Sequence, residues 1–579
     1  MSQTPSARQA PPGASFADLF TPKLVTVLRE GYGLAHLRAD AVAGLTVAIV
    51  ALPLSMAIAI ASGASPAQGL YTAIFGGVVV SMLGGSRFQI GGPAGAFIVL
   101  VAATAGRHGM DGLILATGMA GLILLAVGYL RLGTYIKFIP YPVTVGFTAG
   151  IAVIIFASQI RDLLGLTLNG PEPGPLLEKL PVLWQGLGTV NGAALGLSLG
   201  TILVIAGTSR FFPRWPGMLI GVAGAAAATV MFDLPVETIG SRFGGIPSTL
   251  PLPQVPEISL AKAQAVLPDA VAFALLGAIE SLLSAVVADG MTGRRHRSNC
   301  ELVAQGAANI ASSLFGGICV TGTIARTATN VRAGAHGPFA GMMHSGFLAL
   351  FILVAAPLAS DIPLASLAGV LAVVAWKMIE KHAFATLVRA TRGDALVLLT
   401  TLGLTVFRDL TEAIIVGFAL GSVLFIHRMS KTTAVESHHP FVAEDRADTA
   451  DGARKPYDED EAADPDVVVY RIVGAFFFGA AASIGSVLER ISDTHKALVI
   501  DLAAVPFLDS TAANTIEGLA HKAQRQGVRV ILTGVSAGVR RDLAAHEIAP
   551  PLIEFETTID AALAKIKAAA PTDAGAAAD

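Results

Sequence analysis

The chain has 579 residues, 53% hydrophobic and 14% charged, with a net charge of −3 and a mean hydropathy of +0.66. It is too apolar for a soluble protein of this length, and its evenly spread charge leaves no basic surface for nucleic acid. Cys300 and Cys319 fall in or beside apolar runs, so no disulfide framework is implied, and the histidines show no metal-ligand spacing. No nucleophile motif or P-loop stands out, so neither an enzyme nor an ATP-driven pump has a positive signal, and no cofactor or metal is expected.

Residues 1–38 contain no apolar run of signal-peptide length and read as a cytoplasmic N-terminal tail. Residues 39–430 read as a membrane domain, because a spanning helix needs about 20 apolar residues and such runs recur throughout. Ala41 to Ser86 is 46 residues without a charge, divided by Gly63-Ala64-Ser65-Pro66 into two spans. Further uncharged runs lie at 94–106, 112–130, 139–160, 189–207, 215–232, 268–289, 302–318, 323–333, 339–358, 364–376, 394–407 and 410–427, giving fourteen. Two of them, 94–106 and 323–333, are too short to cross alone and take the third place in each set of seven. Seven is odd, so the second set is inverted relative to the first, and a 7+7 inverted repeat with two half-helices is expected. With the N-terminus inside, the cytoplasmic loops hold thirteen Lys and Arg against six outside, which places both termini in the cytoplasm of a cell inner-membrane protein.

Beyond the spans, residues 431–465 are acidic and read as a disordered linker. Residues 466–568 then show a compact α/β pattern, ahead of a frayed tail at 569–579. Strands are expected at VVVYRIVG, KALVIDLA and VRVILTG, a helix at STAANTIEGLAHKAQRQG, and two amphipathic helices after them.

Three features carry chemistry. The short runs open as GGPAGAFIVL, from Gly91, and GTIARTATNV, from Gly322. Half-helices that begin in mid-membrane aim free amides and positive dipole ends into a shared cavity, which is a site for an anion. Second, Glu280 is the one charge between Ala270 and Ala288. It lies about 18 Å along its span at 1.5 Å per residue, where a carboxyl is costly unless it functions, for instance by carrying a coupling proton; the bland alternative is a packing hydrogen bond. Third, Arg326 stands in the first turn of the second half-helix, where the dipole disfavours a cation. Either an anionic substrate or a structural pair with Glu280 compensates it. In the first half-helix Pro93, Ala94, Gly95 and Ala96 supply small side chains, with Phe97 as a wall; close helix packing explains the same residues. Gly188, Gly192, Gly196 and Gly200 repeat every four residues and predict a close helix contact.

The stretches GSRFQIGGPAGAFIVL, GAIESLLSAVVADGMTGRRHRSNCELVAQGAANI and IARTATNVRAG resemble the sulfate permease (SulP) family of anion transporters over residues 30–430, and the tail with its FLDST turn resembles the STAS domain. The resemblance implies a core domain (spans 1–4 and 8–11) moving against a gate domain (5–7 and 12–14) by an elevator-type mechanism, typically in a homodimer. It places the substrate site on Pro93, Ala94, Gly95, Ala96, Phe97, Thr323, Ile324, Ala325 and Arg326, adjoined by Pro53, with Glu280 as the proton-coupling residue. IESLLSAVVADGMTG with IARTATNVRAG looks most similar to bacterial C4-dicarboxylate carriers. Sodium-coupled bicarbonate members are similar too, but carry Asp at the Glu280 position and Thr at that of Ile324. Ser284 offers an oxygen and Ile324 does not, and sodium wants several. Ser510 and Thr511 match a turn that is phosphorylated in related anti-sigma-factor antagonists, although hydroxyls there also serve as helix caps. The expectation is therefore proton-coupled symport of fumarate or succinate, with bicarbonate, sulfate or an uncoupled anion channel as alternatives. Expected partners are an anionic substrate, a coupling proton, the lipid membrane, a second copy of the chain and a cytoplasmic protein partner of the tail domain.

Overall fold

The computed structural model describes residues 16–136, 140–168, 170, 172–173, 175–212, 215–408, 410–432, 434–437, 467–477 and 496–569. Most of the expected acidic linker, the tail after residue 569, and two of the thirteen cytoplasmic-loop Lys and Arg, Lys137 and Arg214, lie outside the described residues. The chain divides into two units, Met1–Gly421 and Ser422–Asp579.

Every apolar run of the first unit falls on a helix, and eight helices among the described residues are long and apolar enough to cross a bilayer. The first is α1 (Leu34–Ala61), with Pro53 buried in its interior. The runs 94–106 and 112–130 fall on two successive helical stretches, together labelled α2 (Ile98–Tyr129), separated at Gly109, where φ is +69°. Glycine takes that left-handed conformation at no steric cost, which lets the chain turn between two helical stretches. The strand β1 (Gly91–Gly92) runs just ahead of α2. In the second half come α3 (Leu260–Thr292), α4 (Ser298–Leu314), β2 (Thr321–Gly322), the nine-residue α5 (Ile324–Arg332) and α6 (Phe339–Ala355).

Glycines set the closest approaches in this unit. A Cβ on Gly121 of α2 would stand 2.7 Å from Gly306 O of α4, and one on Gly306 2.7 Å from Gly121 O, so the two backbones meet without side chains between them. The four-residue glycine stripe behaves otherwise. A Cβ at Gly188, Gly192, Gly196 or Gly200 would meet nothing within 4 Å. The helix Gly192–Phe211 packs through another face, where Ser198 O lies 3.0 Å from the Cβ position of Gly369. A stripe of small residues permits an approach, but the partner helix chose the Ser198 and Thr201 side.

Part of the expected N-terminal tail, 1–38, is helical. Helices Phe16–Phe20 and Lys23–Glu30 precede α1, with Val27 fully buried. Lys23 N donates to Gly84 O at 2.9 Å, and Arg297 Nη1 donates to Thr21 O and Thr26 Oγ1 at 2.9 and 3.0 Å. A short amphipathic helix makes no long apolar run, so hydropathy alone misses it.

The start of α1 is fastened to the loop between α5 and α6. Asp40, fully buried, accepts from the His336 and Gly337 amides at 2.6 and 3.1 Å and from the Tyr32 hydroxyl at 2.7 Å. The rings of His36 and His336 stack 3.8 Å apart, within 4° of parallel. Burial, then the facing His36, with Arg87 and Arg294 behind, hold the His336 ring below its ordinary value against the pull of Asp40. The unfolded chain then binds more protons than the folded one below about pH 6.5. This contribution to stability is present above that pH and is lost as pH falls through it. The unfolding temperature of the full-length protein is expected to drop on acidification through this window, and the drop to be smaller in His336→Gln; an unchanged slope in that variant would refute the assignment.

The second unit is a five-stranded sheet ordered β3 (Ala434–Ser437), β4 (Val467–Val473), β5 (Ala497–Ala504), β6 (Arg529–Thr533), β7 (Glu554–Glu556). β3 pairs antiparallel with β4 and the rest are parallel. The first linker residues are thus corrected to an edge strand; AVES is too short to stand out from its polar surroundings. β7 was likewise not expected. Helix α7 (Ser510–Arg525) covers one face through Ile516, Leu519, Ala520 and Ala523, and α9 (Ile559–Ala569) covers the other through Ile559, Ala562 and Leu563, with α8 (Ala537–Ala545) between them in sequence. Burial on both faces explains why ALVI (497–500) in β5 reads as an unbroken apolar run. Asp509 caps α7, its side chain accepting from Ala512 N at 2.9 Å, while Ser510 and Thr511 are exposed. Asp509→Ala is expected to cost about 1 kcal/mol locally, read as faster hydrogen exchange in the first turn of α7.

Candidate functional site

The two half-helices begin back to back. β1 and β2 pair antiparallel, Gly91 opposite Gly322 and Gly92 opposite Thr321, and Thr323 N donates to Ile90 O at 3.0 Å. A helix leaves its first amides without intrahelical partners, and a side-chain oxygen at the cap normally takes one. Neither half-helix has that cap. Ala94 has no oxygen to give, and the Thr323 hydroxyl donates instead to Ile90 O at 3.3 Å. Among the described residues, the amides of Gly95, Ala96, Ile324, Ala325 and Arg326 make no hydrogen bond. Two positive helix ends with free donors therefore meet at one place.

Helix α3 lines this crossing. Gly277 O accepts from the Thr321 hydroxyl at 3.1 Å, Ser281 O accepts from Gln89 Nε2 at 2.9 Å, and the Ser284 hydroxyl donates to Thr327 Oγ1 at 3.1 Å. Thr327 Oγ1 also accepts from Ile90 N at 3.1 Å. Glu280 is three residues after Gly277 and four before Ser284, hence on the same side of the helix. It is partly exposed and makes no hydrogen bond or ion pair with any described residue. Phe97 is buried with its ring edge-on to Phe273, centroids 6.0 Å apart.

Arg326 is 1% exposed. Its Nη2 donates to Pro93 O at 3.2 Å, while Nε and Nη1 have no partner. Nη1 lies over Gly92, 2.0 Å from where a Cβ would be. No ion pair joins Arg326 to Glu280, so the structural-pair alternative finds no support here. A buried guanidinium with two nitrogens free is costly until something negative or hydrogen-bonding reaches it.

The structure thus gathers Pro93, Ala94, Gly95, Ala96, Phe97, Thr323, Ile324, Ala325, Arg326 and Glu280 about one crossing, and α1 with Pro53 packs against α5. Pro53 has no N–H, which leaves a turn of α1 without its usual hydrogen bond. Sequence reasoning missed Gln89, Ser281, Thr321 and Thr327. Each is an uncharged polar residue within a few positions of a motif already singled out, and that proximity was the signal available.

The sulfate permease family description matches residues 37–401, and a STAS domain matches residues 461–562. The chain belongs to the sulfate permease family. It is a multi-pass membrane anion transporter with a C-terminal STAS domain, and not an enzyme. It is 40% identical over 512 residues to the putative sulfate transporter YvdB of Bacillus subtilis, covering 88% of this chain and 93% of that one. It is 31% identical over 519 residues to the bicarbonate transporter BicA of Picosynechococcus, covering 88% and 90%. Among solved structures, that of SLC26A9 shares the fold with a TM-score of 0.82 at 16% identity, over 95% of this chain and 93% of that one. The transmembrane domain of a cyanobacterial BicA matches with a TM-score of 0.59 at 32% identity, over 66% of this chain and 98% of that one. Nothing in these names points to a C4-dicarboxylate.

Proposed function

We propose that this sulfate permease family member is a proton-coupled secondary transporter of a small oxyanion, sulfate or bicarbonate, rather than of the dicarboxylate that its sequence first brought forward. The observation that carries this is the convergence of two uncapped helix ends with a buried Arg326 that has two unpartnered nitrogens, at a crossing lined by the helix that bears Glu280. Such a crossing attracts negative charge without encoding a four-carbon skeleton, and the names of YvdB and BicA favour the smaller anions. Pro93 to Phe97 and Thr323 to Arg326 supply the binding groups, Pro53 adjoins them, and Glu280 carries the proton. A proton on Glu280 removes the charge that would repel an arriving anion. The absence of a side-chain oxygen at Ile324 favours a proton over sodium.

The rest of the reading follows the family. The core carries the site past the gate in an elevator-type motion within a homodimer, both termini face the cytoplasm, and the exposed Ser510 and Thr511 are open to phosphorylation or to a protein partner.

The test is uptake of labelled sulfate, bicarbonate, succinate and fumarate into proteoliposomes under imposed proton or sodium gradients. Sulfate or bicarbonate should enter, faster with an inward proton gradient and regardless of sodium. Entry of the dicarboxylates with no oxyanion entry or competition would overturn the substrate. Uptake without accompanying proton flux would make the protein an uncoupled conductor.

A further inference from the structure

A second buried polar group lies behind the anion crossing. His344, on α6, is fully buried, and neither ring nitrogen has a partner. It stands where backbones approach closely. A Cβ on Gly44 of α1 would lie 3.1 Å from His344 N, and one on Gly341, a turn earlier, 2.1 Å from Ser81 Oγ, itself unpartnered. The adjoining Ser345 donates to Ala73 O at 3.0 Å. Ala73 belongs to a π-helical turn, Thr72–Gly76, a widened geometry frequent at functional sites. Its Cβ is also 3.7 Å from the Cβ position of Gly92, over which Arg326 Nη1 lies. Ala73 is therefore the shared neighbour of the His344 segment and the guanidinium tip.

The chemistry of the two groups is complementary. Arg326 has N–H groups at Nε and Nη1 that need acceptors and has no acceptor of its own. A neutral imidazole offers one acceptor nitrogen and one donor, and nothing else described engages either. Leaving so many buried polar atoms unsatisfied around Ala73 is costly unless they serve one another, directly or across an intervening water.

We propose that His344 is a positioning residue of the anion site: its acceptor nitrogen takes up a free N–H of Arg326, through a bridging water, and fixes the direction in which the guanidinium presents its charge. This rests on Arg326 serving the anion, as the proposed function has it. A ring that only filled space would be replaceable by an apolar side chain of similar volume. A positioning ring is replaceable only by a group that keeps a hydrogen-bond acceptor.

The test is a double-mutant cycle in the full-length protein, combining His344→Leu or His344→Gln with Arg326→Gln. Two quantities are measured: the unfolding temperature in detergent, and the half-saturating concentration for sulfate and bicarbonate uptake. His344→Leu should raise half-saturation about tenfold, the loss of one hydrogen bond to a charged group, with maximal rate little changed. His344→Gln, which keeps an acceptor, should stay near wild type. His344→Leu should lower the unfolding temperature in the Arg326 background and much less beside Arg326→Gln. Additive temperature shifts, or Gln failing as Leu does, would overturn the proposal. The anion reading fails separately: unchanged half-saturation in Arg326→Gln, or uptake of neither anion, removes Arg326 from the substrate site, while the temperature cycle still decides whether His344 positions it.

Discussion

Reconstituted Glu280→Gln protein is expected to insert and fold normally yet lose all gradient-driven accumulation. Glutamine keeps the size and polarity of the side chain but cannot release a proton. Glu280 has no partner among the described residues, so the substitution breaks no hydrogen bond or ion pair and the fold should tolerate it. One unit of pH across the membrane is worth about 1.4 kcal/mol, or a tenfold accumulation for a one-to-one symport. Wild type should approach that ratio and the variant should stop at equilibration. Counterflow exchange without a gradient should survive, because binding and passage do not need net proton movement. If the variant still concentrates its anion on a pH gradient, Glu280 is not the coupling group.

Gly92→Ala should be nearly as damaging, for a steric reason. The new methyl would sit 2.0 Å from Arg326 Nη1, far inside contact distance, so the guanidinium or the β1–β2 pairing has to move. Displacing a charge-assisted contact costs about 1.5–3 kcal/mol, or roughly 10- to 100-fold in half-saturation. Gly322→Ala attacks the other strand, where a Cβ would stand 1.6 Å from Gln89 Nε2. The measurement is concentration-dependent uptake with surface expression as control. Wild-type half-saturation in Gly92→Ala would mean that the guanidinium does not need its present place.

Much of this architecture is legible in the sequence, because a bilayer enforces long uncharged runs and penalises any charge within them. That rule alone picked out Glu280 and the two short runs. The STAS strands were legible because a sheet buried on both faces needs unbroken apolar segments, as at ALVI (497–500). What stayed hidden depends on pairing between distant segments. No local pattern says that Gly91 meets Gly322, that the Thr323 hydroxyl abandons its cap for Ile90, or that Arg326 avoids Glu280. The glycine stripe shows the converse error, since periodicity identifies a face without saying what lies against it. Short elements such as Lys23–Glu30 and β3 bury too little to mark themselves.

The β1–β2 pairing also bears on biogenesis. The Thr323–Ile90 hydrogen bond that flanks it joins residues 233 apart, so the nascent chain has inserted its first helices long before the matching strand is made. During that interval the backbone groups of Gly91 and Gly92 have no strand partner at a depth where unsatisfied backbone groups are heavily penalised. The first half should therefore be a poor stand-alone membrane protein, retained by the insertion machinery or degraded if synthesis stops there. Supplying the second half as a separate polypeptide should rescue it, because the missing strand edge is what the stranded half lacks.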